Sequence, residues 1–160
     1  MKKLNLILVL VYAISASGFS QTDSLSIQLN DSIKLDLVRE VFHKEKHSIK
    51  FLNDTDLLID NKIVFGTDGE MPKYYLKSAE ISIKGQVIKL ETQSIYNPWF
   101  GAKPNNNRYG MIQDGTHLKV RGLFSDGAGS FGAEWLVLGE GSVRTILTYD
   151  EQILFEYLNY

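Results

Sequence analysis

The sequence predicts one α+β domain, mainly antiparallel β-sheet, with a helix near each end of the chain that follows an N-terminal leader. Apolar and polar residues alternate in several short segments separated by Gly, Asn and Asp, which is typical of antiparallel strands. Residues 32–46 and 150–160 instead carry apolar side chains at helical spacing. A chain of roughly 140 residues after the leader is long enough to bury one core.

The first residues have the layout of a secretory signal peptide. Lys2 and Lys3 precede the short apolar run Leu6–Ile14, and small residues follow it. The run is shorter than the about 20 residues of a membrane span, although an uncleaved anchor is the alternative. We therefore expect a leader at 1–20, cleaved within about two residues of that point, a domain at 21–160, and a periplasmic or secreted protein with no other membrane contact.

The first elements after the leader are a strand and a helix. Leu25–Leu29 alternates and predicts a strand, and Asn30-Asp31-Ser32 supplies capping residues for a helix over 32–46. Ile33, Leu35 and Leu37 also alternate, so a strand beginning there is the alternative. The helical interpretation depends on two series of apolar residues: Ile33, Leu37 and Val41, and Leu35, Val38 and Phe42.

Short strands and turns follow from residue 48 onward. Ser48–Leu52 and Leu57–Ile59 are apolar runs, and Asp60-Asn61 is suited to turn the second run back onto 62–65. The arms 75–84 and 86–92 alternate around Gly85 and predict a hairpin.

Residues 94–111 form a predicted loop, because prolines, glycines and an asparagine run interrupt any regular pattern. The loop also contains the large aromatic residues Trp99 and Phe100. These side chains either pack on the core or form a binding surface, and the sequence leaves both interpretations open.

The segment Arg121–Trp135, RGLFSDGAGSFGAEW, is rich in glycine and raises the question of a ligand loop. Gly127–Gly132 has the spacing GxGxxG, but the next segment is strand-like, whereas phosphate-binding loops open a helix. No lysine follows as in a P-loop. We therefore expect the glycines to form a hairpin turn.

This hairpin belongs to a predicted three-stranded meander over 116–149. Centring the first turn on Ala128 and the second on Glu140-Gly141 pairs Leu118 with Leu138 and Arg121 with Trp135. In this register the buried face comprises Leu118, Val120, Phe124, Leu136, Leu138, Val143 and Leu147.

The opposite face of the meander is then a mixed basic and aromatic patch, the predicted outer patch, with Lys119, Arg121, Trp135, Arg144 and Ile146. Trp and Arg are over-represented at energetically important positions of protein interfaces. Glu134 falls on the apolar face, either beside an arginine or as a carboxylate whose pKa is raised by burial.

Composition excludes several classes of site. The chain has no cysteine, so disulfides, zinc–thiolate sites and cysteine nucleophiles are absent. Removing Lys2 and Lys3 from the 17 basic residues leaves 15 against 19 acidic residues, a net charge of −4. The sequence has no stripe of basic residues, so we expect no nucleic-acid partner. His43 and His47 would share a helix face, but lysines lie between them, so we expect no metal site and no cofactor.

Function is predicted mainly from these exclusions. We expect a non-catalytic module that binds another protein of the cell envelope, in the manner of an inhibitory or immunity protein. Its candidate binding residues are Trp99, Phe100, Arg121, Trp135 and Arg144. The alternatives are an accessory envelope protein and a small periplasmic hydrolase or carbohydrate-active enzyme, whose candidate acids and bases are Asp126, Glu134 and His117.

Overall fold

The structure is a computed structural model that describes residues 22–53, 56–101, 108–124 and 129–158. Within these ranges, segments of alternating apolar and polar side chains form eleven strands. The elements are β1 (Thr22–Asn30), β2 (Ile33–Val41), β3 (Ile49–Phe51), β4 (Leu57–Ile59), β5 (Lys62–Ile63), β6 (Tyr74–Ile83), β7 (Gln86–Leu90), β8 (Tyr109–Asp114), β9 (His117–Phe124), β10 (Phe131–Leu138), β11 (Gly141–Thr148) and the helix α1 (Glu151–Leu158).

The strands form two four-stranded antiparallel sheets and one small sheet. Sheet 1 has the order β1-β2-β6-β7, sheet 2 has the order β11-β10-β9-β8, and the small sheet has the order β3-β4-β5. Side chains of sheets 1 and 2 share one core, as in a β-sandwich. Leu35 and Ile81 of sheet 1 and Val120 and Trp135 of sheet 2 are each 0% exposed.

The predicted α+β class is wrong, because the protein is a mostly antiparallel β-sandwich. A strand takes the place of the helix expected at 32–46. Residues 33–41 form β2, which pairs with β1 and β6 on its two sides, and only Lys44–Lys46 form a 3-10 turn. Leu35 and Leu37 are both 0% exposed, so the alternation of period two determines the structure. Helical spacing in this segment was coincidental, since a strand with partners on both edges satisfies all its backbone groups.

Two predicted turns are confirmed. Lys84-Gly85, with φ of +49° and +88°, connects β6 to β7, and Asp60-Asn61, with φ of +53° and +62°, connects β4 to β5. Positive φ at both turn positions gives a twist that matches antiparallel strands. The helix expected at 150–160 is present as α1, and the Asp150 carboxylate accepts a hydrogen bond from the Gln152 N–H at 2.9 Å.

The meander is present as β9, β10 and β11, but the predicted register is wrong by one residue. Phe124 pairs with Phe131 and Leu118 with Val137, because residues 125–130, an even number, connect β9 to β10. The second turn lies at Gly139-Glu140, where Gly139 has a φ of +59°. A shift of one residue moves every side chain of a strand to the other face.

The correction exchanges the two faces of β10. Trp135 points into the core and is 0% exposed, whereas Leu138 and Val143 are 42% and 52% exposed. Within the described residues, no helix is long and apolar enough to cross a membrane.

Candidate functional site

The predicted outer patch is not formed, because its central residue lies inside the sandwich. Trp135 donates a hydrogen bond from Nε1 to the Glu91 carbonyl oxygen at 2.9 Å. Arg144 extends toward the chain that follows β7, where its guanidinium lies 2.9 Å from the Glu91 carboxylate and also contacts the Gln93 carbonyl. Trp135 and Arg144 therefore join the two sheets along one edge of the sandwich.

Glu134 and Arg121 form a buried ion pair on the outer face of sheet 2. Their side chains are 5% and 13% exposed, and Arg121 Nε donates to Glu134 Oε2 at 2.7 Å. The β-bulge in β11 places Thr145 opposite them, and its hydroxyl donates to Glu134 Oε1 at 2.8 Å. Both oxygens of this carboxylate thus have donors, which favours a positioning role in the fold over proton transfer.

The candidate base His117 does not lie close to Glu134. His117 pairs with Asp114 at the β8–β9 turn, four residues from Arg121 along β9 and therefore roughly 13 Å away. The Lys119 ammonium, 2.8 Å from the Asp114 carboxylate, lowers the pKa of that carboxyl. Asp126 lies outside the described residues.

His43 and His47 flank the 3-10 turn rather than sharing a helix face. His47 stacks on Phe42, and its Nδ1 lies 2.7 Å from Asp60 Oδ2. This contact lowers the pKa of Asp60. Across the described ranges, no group of three or more His, Asp or Glu side chains is arranged to hold a metal ion.

The two aromatic residues of the predicted 94–111 loop have different environments. Phe100 is 7% exposed and belongs to the core, with the Arg39 guanidinium 5.0 Å from its ring centre. Trp99 is half-buried, and the Arg108 guanidinium stacks over its ring at 4.0 Å. Packing therefore accounts for Phe100, whereas Trp99 remains at a surface.

Trp99 lines a cleft of about 370 Å³, which we call the end cleft. Its lining comes from Arg39, Gly66, Thr67, Asp68, Glu70, Met71, Lys73, Tyr74, Asn97, Trp99, Phe124, Gly129 and Phe131. Small-molecule sites in proteins have volumes of about 300–1,000 Å³.

Two side chains hold the walls of the end cleft in place. The Arg39 guanidinium binds the Asp23 carboxylate at 2.9 Å and the Pro98 carbonyl at 2.9 Å, and it lies over the Tyr74 ring at 4.5 Å. The Asn97 side chain accepts hydrogen bonds from the N–H groups of Lys73 and Tyr74 and donates one to the Gly66 carbonyl. The cleft is thus preorganised by residues whose polar groups are already used.

A second depression, the small-sheet groove, has a volume of about 540 Å³ and lies on the other side of residues 67–69. It is lined by Leu52, Asp56, Leu57, Leu58, Ile63, Val64, Thr67, Asp68, Gly69 and Tyr149. Leu58 pairs with Ile63 across β4 and β5, so both point to the same face. Leu52 is 55% exposed and Ile63 is 66% exposed, so both present apolar surface to solvent.

Tyr149 forms the far wall of the small-sheet groove. Its ring stacks on Phe65 with the centroids 4.8 Å apart, and its hydroxyl accepts a hydrogen bond from the Gly66 N–H at 2.8 Å. Burial raises the pKa of the phenol. The residue is thus fixed in place while still 41% exposed.

Sequence reasoning missed both depressions apart from Trp99. The sequence of the segment 66–73 has no periodicity that would indicate a site, yet the segment forms the wall between the two depressions. The parity of Leu58 and Ile63 around the Asp60-Asn61 turn was the available signal for the groove. No protein family, curated protein or solved structure matches this chain.

Proposed function

We propose that this chain is an exported, non-catalytic protein-binding module that acts in the periplasm or outside the cell, as inhibitory and immunity proteins do. The leader pattern at 1–20 supports export. The observation that carries the binding function is the small-sheet groove with its exposed Leu52, Ile63 and Tyr149. Exposed apolar surface of this kind, with a polar rim, is typical of sites that bind proteins.

The charges around the groove define the chemistry of the partner. Asp56 and Asp68 are the charged residues that line it, and both are acidic. Complementary charge across an interface increases the association rate and excludes wrong partners. The partner is therefore a protein that inserts apolar side chains beside Leu52 and Ile63 and presents Lys or Arg toward the two aspartates.

Site-specific photo-crosslinking tests this proposal. A photoreactive amino acid at position 63 would be compared with the same amino acid at position 87, in the organism's own envelope and secreted fractions. Val87 is the matched control because it is 56% exposed but lies on sheet 1. We expect one protein to crosslink from position 63 and not from position 87.

Affinity measurements on that purified protein complete the test. Ile63→Asp should weaken its binding by about 30-fold, the effect of removing an interface residue that contributes about 2 kcal/mol. Val87→Asp should leave the affinity unchanged, and binding of wild type should weaken as salt increases. Equal crosslinking from both positions, or normal binding by Ile63→Asp, would refute the groove as the binding surface.

The hydrolase hypothesis has its own test in Glu134. The ion pair with Arg121 and the hydrogen bond from Thr145 favour a role in stability. Glu134→Gln should therefore lower the free energy of unfolding. A folded Glu134→Gln variant that loses turnover on a glycoside or ester, with wild-type stability, would favour the enzyme instead.

A further inference from the structure

We propose that the end cleft binds a neutral saccharide, in addition to the protein partner proposed for the small-sheet groove. The two depressions share Thr67 and Asp68, and their other lining residues are separate. The polar groups that remain available in the cleft, its aromatic surface and its charge support this proposal.

A buried hydroxyl is the first of these observations. Thr67 is 7% exposed, and its hydroxyl makes no hydrogen bond with any other residue in the described ranges. Most buried polar groups have a partner, so one without a protein partner indicates a place for water or a ligand. A hydroxyl both donates and accepts, which matches the hydroxyl groups of a sugar.

Other polar side chains that line the cleft also have donors and acceptors available to a ligand. Lys73, Asp68 and Glu70 form no ion pair within the described part of the chain. The Tyr74 hydroxyl and the Trp99 indole N–H likewise have no hydrogen-bond partner there. The cleft therefore offers donors and acceptors together, whereas Arg39 and Asn97 are occupied in holding its walls.

An aromatic ring supplies the apolar part of the site. Trp99 is half-buried and lines the cleft, and the Arg108 guanidinium lies over its ring at 4.0 Å, which holds the ring in place. The face of an aromatic ring carries partial negative charge and attracts the C–H groups of an apolar surface. A pyranose presents such C–H groups on one face and hydroxyls at its edge.

The charges of the cleft argue against an anionic ligand. Among the residues that line the cleft, Arg39 is neutralised by Asp23, which leaves the Lys73 cation against the Asp68 and Glu70 anions; Arg108 lies over Trp99 but does not line the cleft. A phosphate or sulfate would meet more negative than positive charge at this place. The same balance is acceptable to an uncharged ligand, because carboxylates and an ammonium group are strong partners for hydroxyls.

Tryptophan fluorescence tests the proposal on the mature protein. The chain has two tryptophans, and Trp135 is 0% exposed, so acrylamide quenching reports mainly on Trp99. Cellotriose, maltotriose, xylotriose and chitotriose would be titrated to millimolar concentration, with glucose 6-phosphate as the charged comparison. We expect at least one trisaccharide to protect Trp99 from quenching and the phosphate to have no effect.

Variants then assign the binding to the cleft, with calorimetry as the readout. Trp99→Ala should weaken the trisaccharide about tenfold or more, since the lost stacking is worth about 1.4 kcal/mol. Lys73→Met changes an exposed side chain and keeps the fold, and it should weaken binding about threefold. Phe155→Ala, 64% exposed on α1, is the control and should bind normally.

Three results would overturn the proposal. The first is the absence of protection by every trisaccharide. The second is unchanged affinity in both Trp99→Ala and Lys73→Met. The third is binding of glucose 6-phosphate in preference to the neutral sugars. None of these results affects crosslinking from position 63, so the proposed protein-binding function is tested separately.

Discussion

Trp135→Ala is the most direct test of the sandwich, because the loss of stability that it causes shows which face of β10 is buried. The side chain is 0% exposed between the sheets, and its Nε1 donates to the Glu91 carbonyl at 2.9 Å. Truncating a buried Trp to Ala costs about 3–5 kcal/mol. With a typical slope near 2 kcal/mol per molar urea, the unfolding midpoint should fall by about 2 M.

The matched variant is Leu138→Ala, three positions along the same strand. Leu138 is 42% exposed on the outer face, so its truncation should cost less than about 1 kcal/mol. In the register predicted from the sequence, Leu138 is buried and Trp135 is outside, so the order of the two effects would be reversed. Urea unfolding followed by circular dichroism measures both variants under the same conditions.

A larger loss of stability in Leu138→Ala than in Trp135→Ala would refute the register described here. If Trp135→Ala is too unstable to purify, Trp135→Phe keeps most of the volume and loses the hydrogen bond. That variant should be destabilised by about 1–2 kcal/mol. Wild-type stability in Trp135→Phe would also contradict the burial of the indole.

Three other substitutions test separate contacts. Glu134→Ala removes the carboxylate that faces Arg121 in a buried ion pair, and urea unfolding should show a loss of about 3–5 kcal/mol. Burial and a hydrogen bond to a carboxylate raise the pKa of Tyr75 to about 12, so its contribution to stability is complete below pH 10 and lost as pH rises through 12. Tyr75→Phe should remove a step near pH 12 from the 295 nm titration and reduce that alkaline loss. Gly66→Ala would place a Cβ 2.2 Å from the Tyr96 carbonyl oxygen at a φ of +87°, and its thermal midpoint should fall by several degrees, since about 1–3 kcal/mol is lost.

Each of these substitutions has a contradicting result. Wild-type stability in Glu134→Ala would argue against a coupled ion pair. So would a double variant whose loss in the free energy of unfolding equals the sum of the losses in Arg121→Met and Glu134→Ala. Loss of a step near pH 10 instead of pH 12 in Tyr75→Phe would place that phenol in solvent. Normal stability in Gly66→Ala would mean that the turn at Gly66 can move.

Local signals predicted the hairpins well, because turn chemistry and alternation coincide there. Lys84-Gly85 separates two alternating arms, and β6 and β7 pair as the parity requires. The apolar residues of 33–41 fit both helical spacing and the alternation of a strand. Only the pairing of β2 with strands on both sides decides in favour of the strand. That pairing is long-range and is not visible within a local window of sequence.

The error in the meander has a different cause. The first turn centre is half a position too far along the chain, which shifts the β9–β10 register by one residue and exchanges the faces. The second turn centre is one position too far, which shifts the β10–β11 register by two residues and keeps the same faces together. Agreement between the two turns therefore gave no independent support for the first. The even length of 125–130 decides the register, and composition does not reveal it.

The candidate sites were mostly beyond prediction, because their walls come from distant segments. Backbone hydrogen bonds join Phe65, which precedes 66–73, to Ser94 and Tyr96, which precede 97–99. Trp99 was predicted because a large aromatic residue in a long loop is conspicuous. Thr67 and Lys73 carry no such signal, since their role depends on what the fold places beside them.

Both proposed sites depend on the short segment that starts at Phe65. Its Gly66 N–H is held by Tyr149 on the side of the small-sheet groove, and its Gly66 carbonyl is held by Asn97 on the side of the end cleft. The Asp68 carboxylate lies beside Gly129, where a Cβ would be 2.0 Å from it. Thr67 and Asp68 line both depressions. A ligand on either side that displaces these residues must therefore change the affinity of the other site, and such coupling is reciprocal.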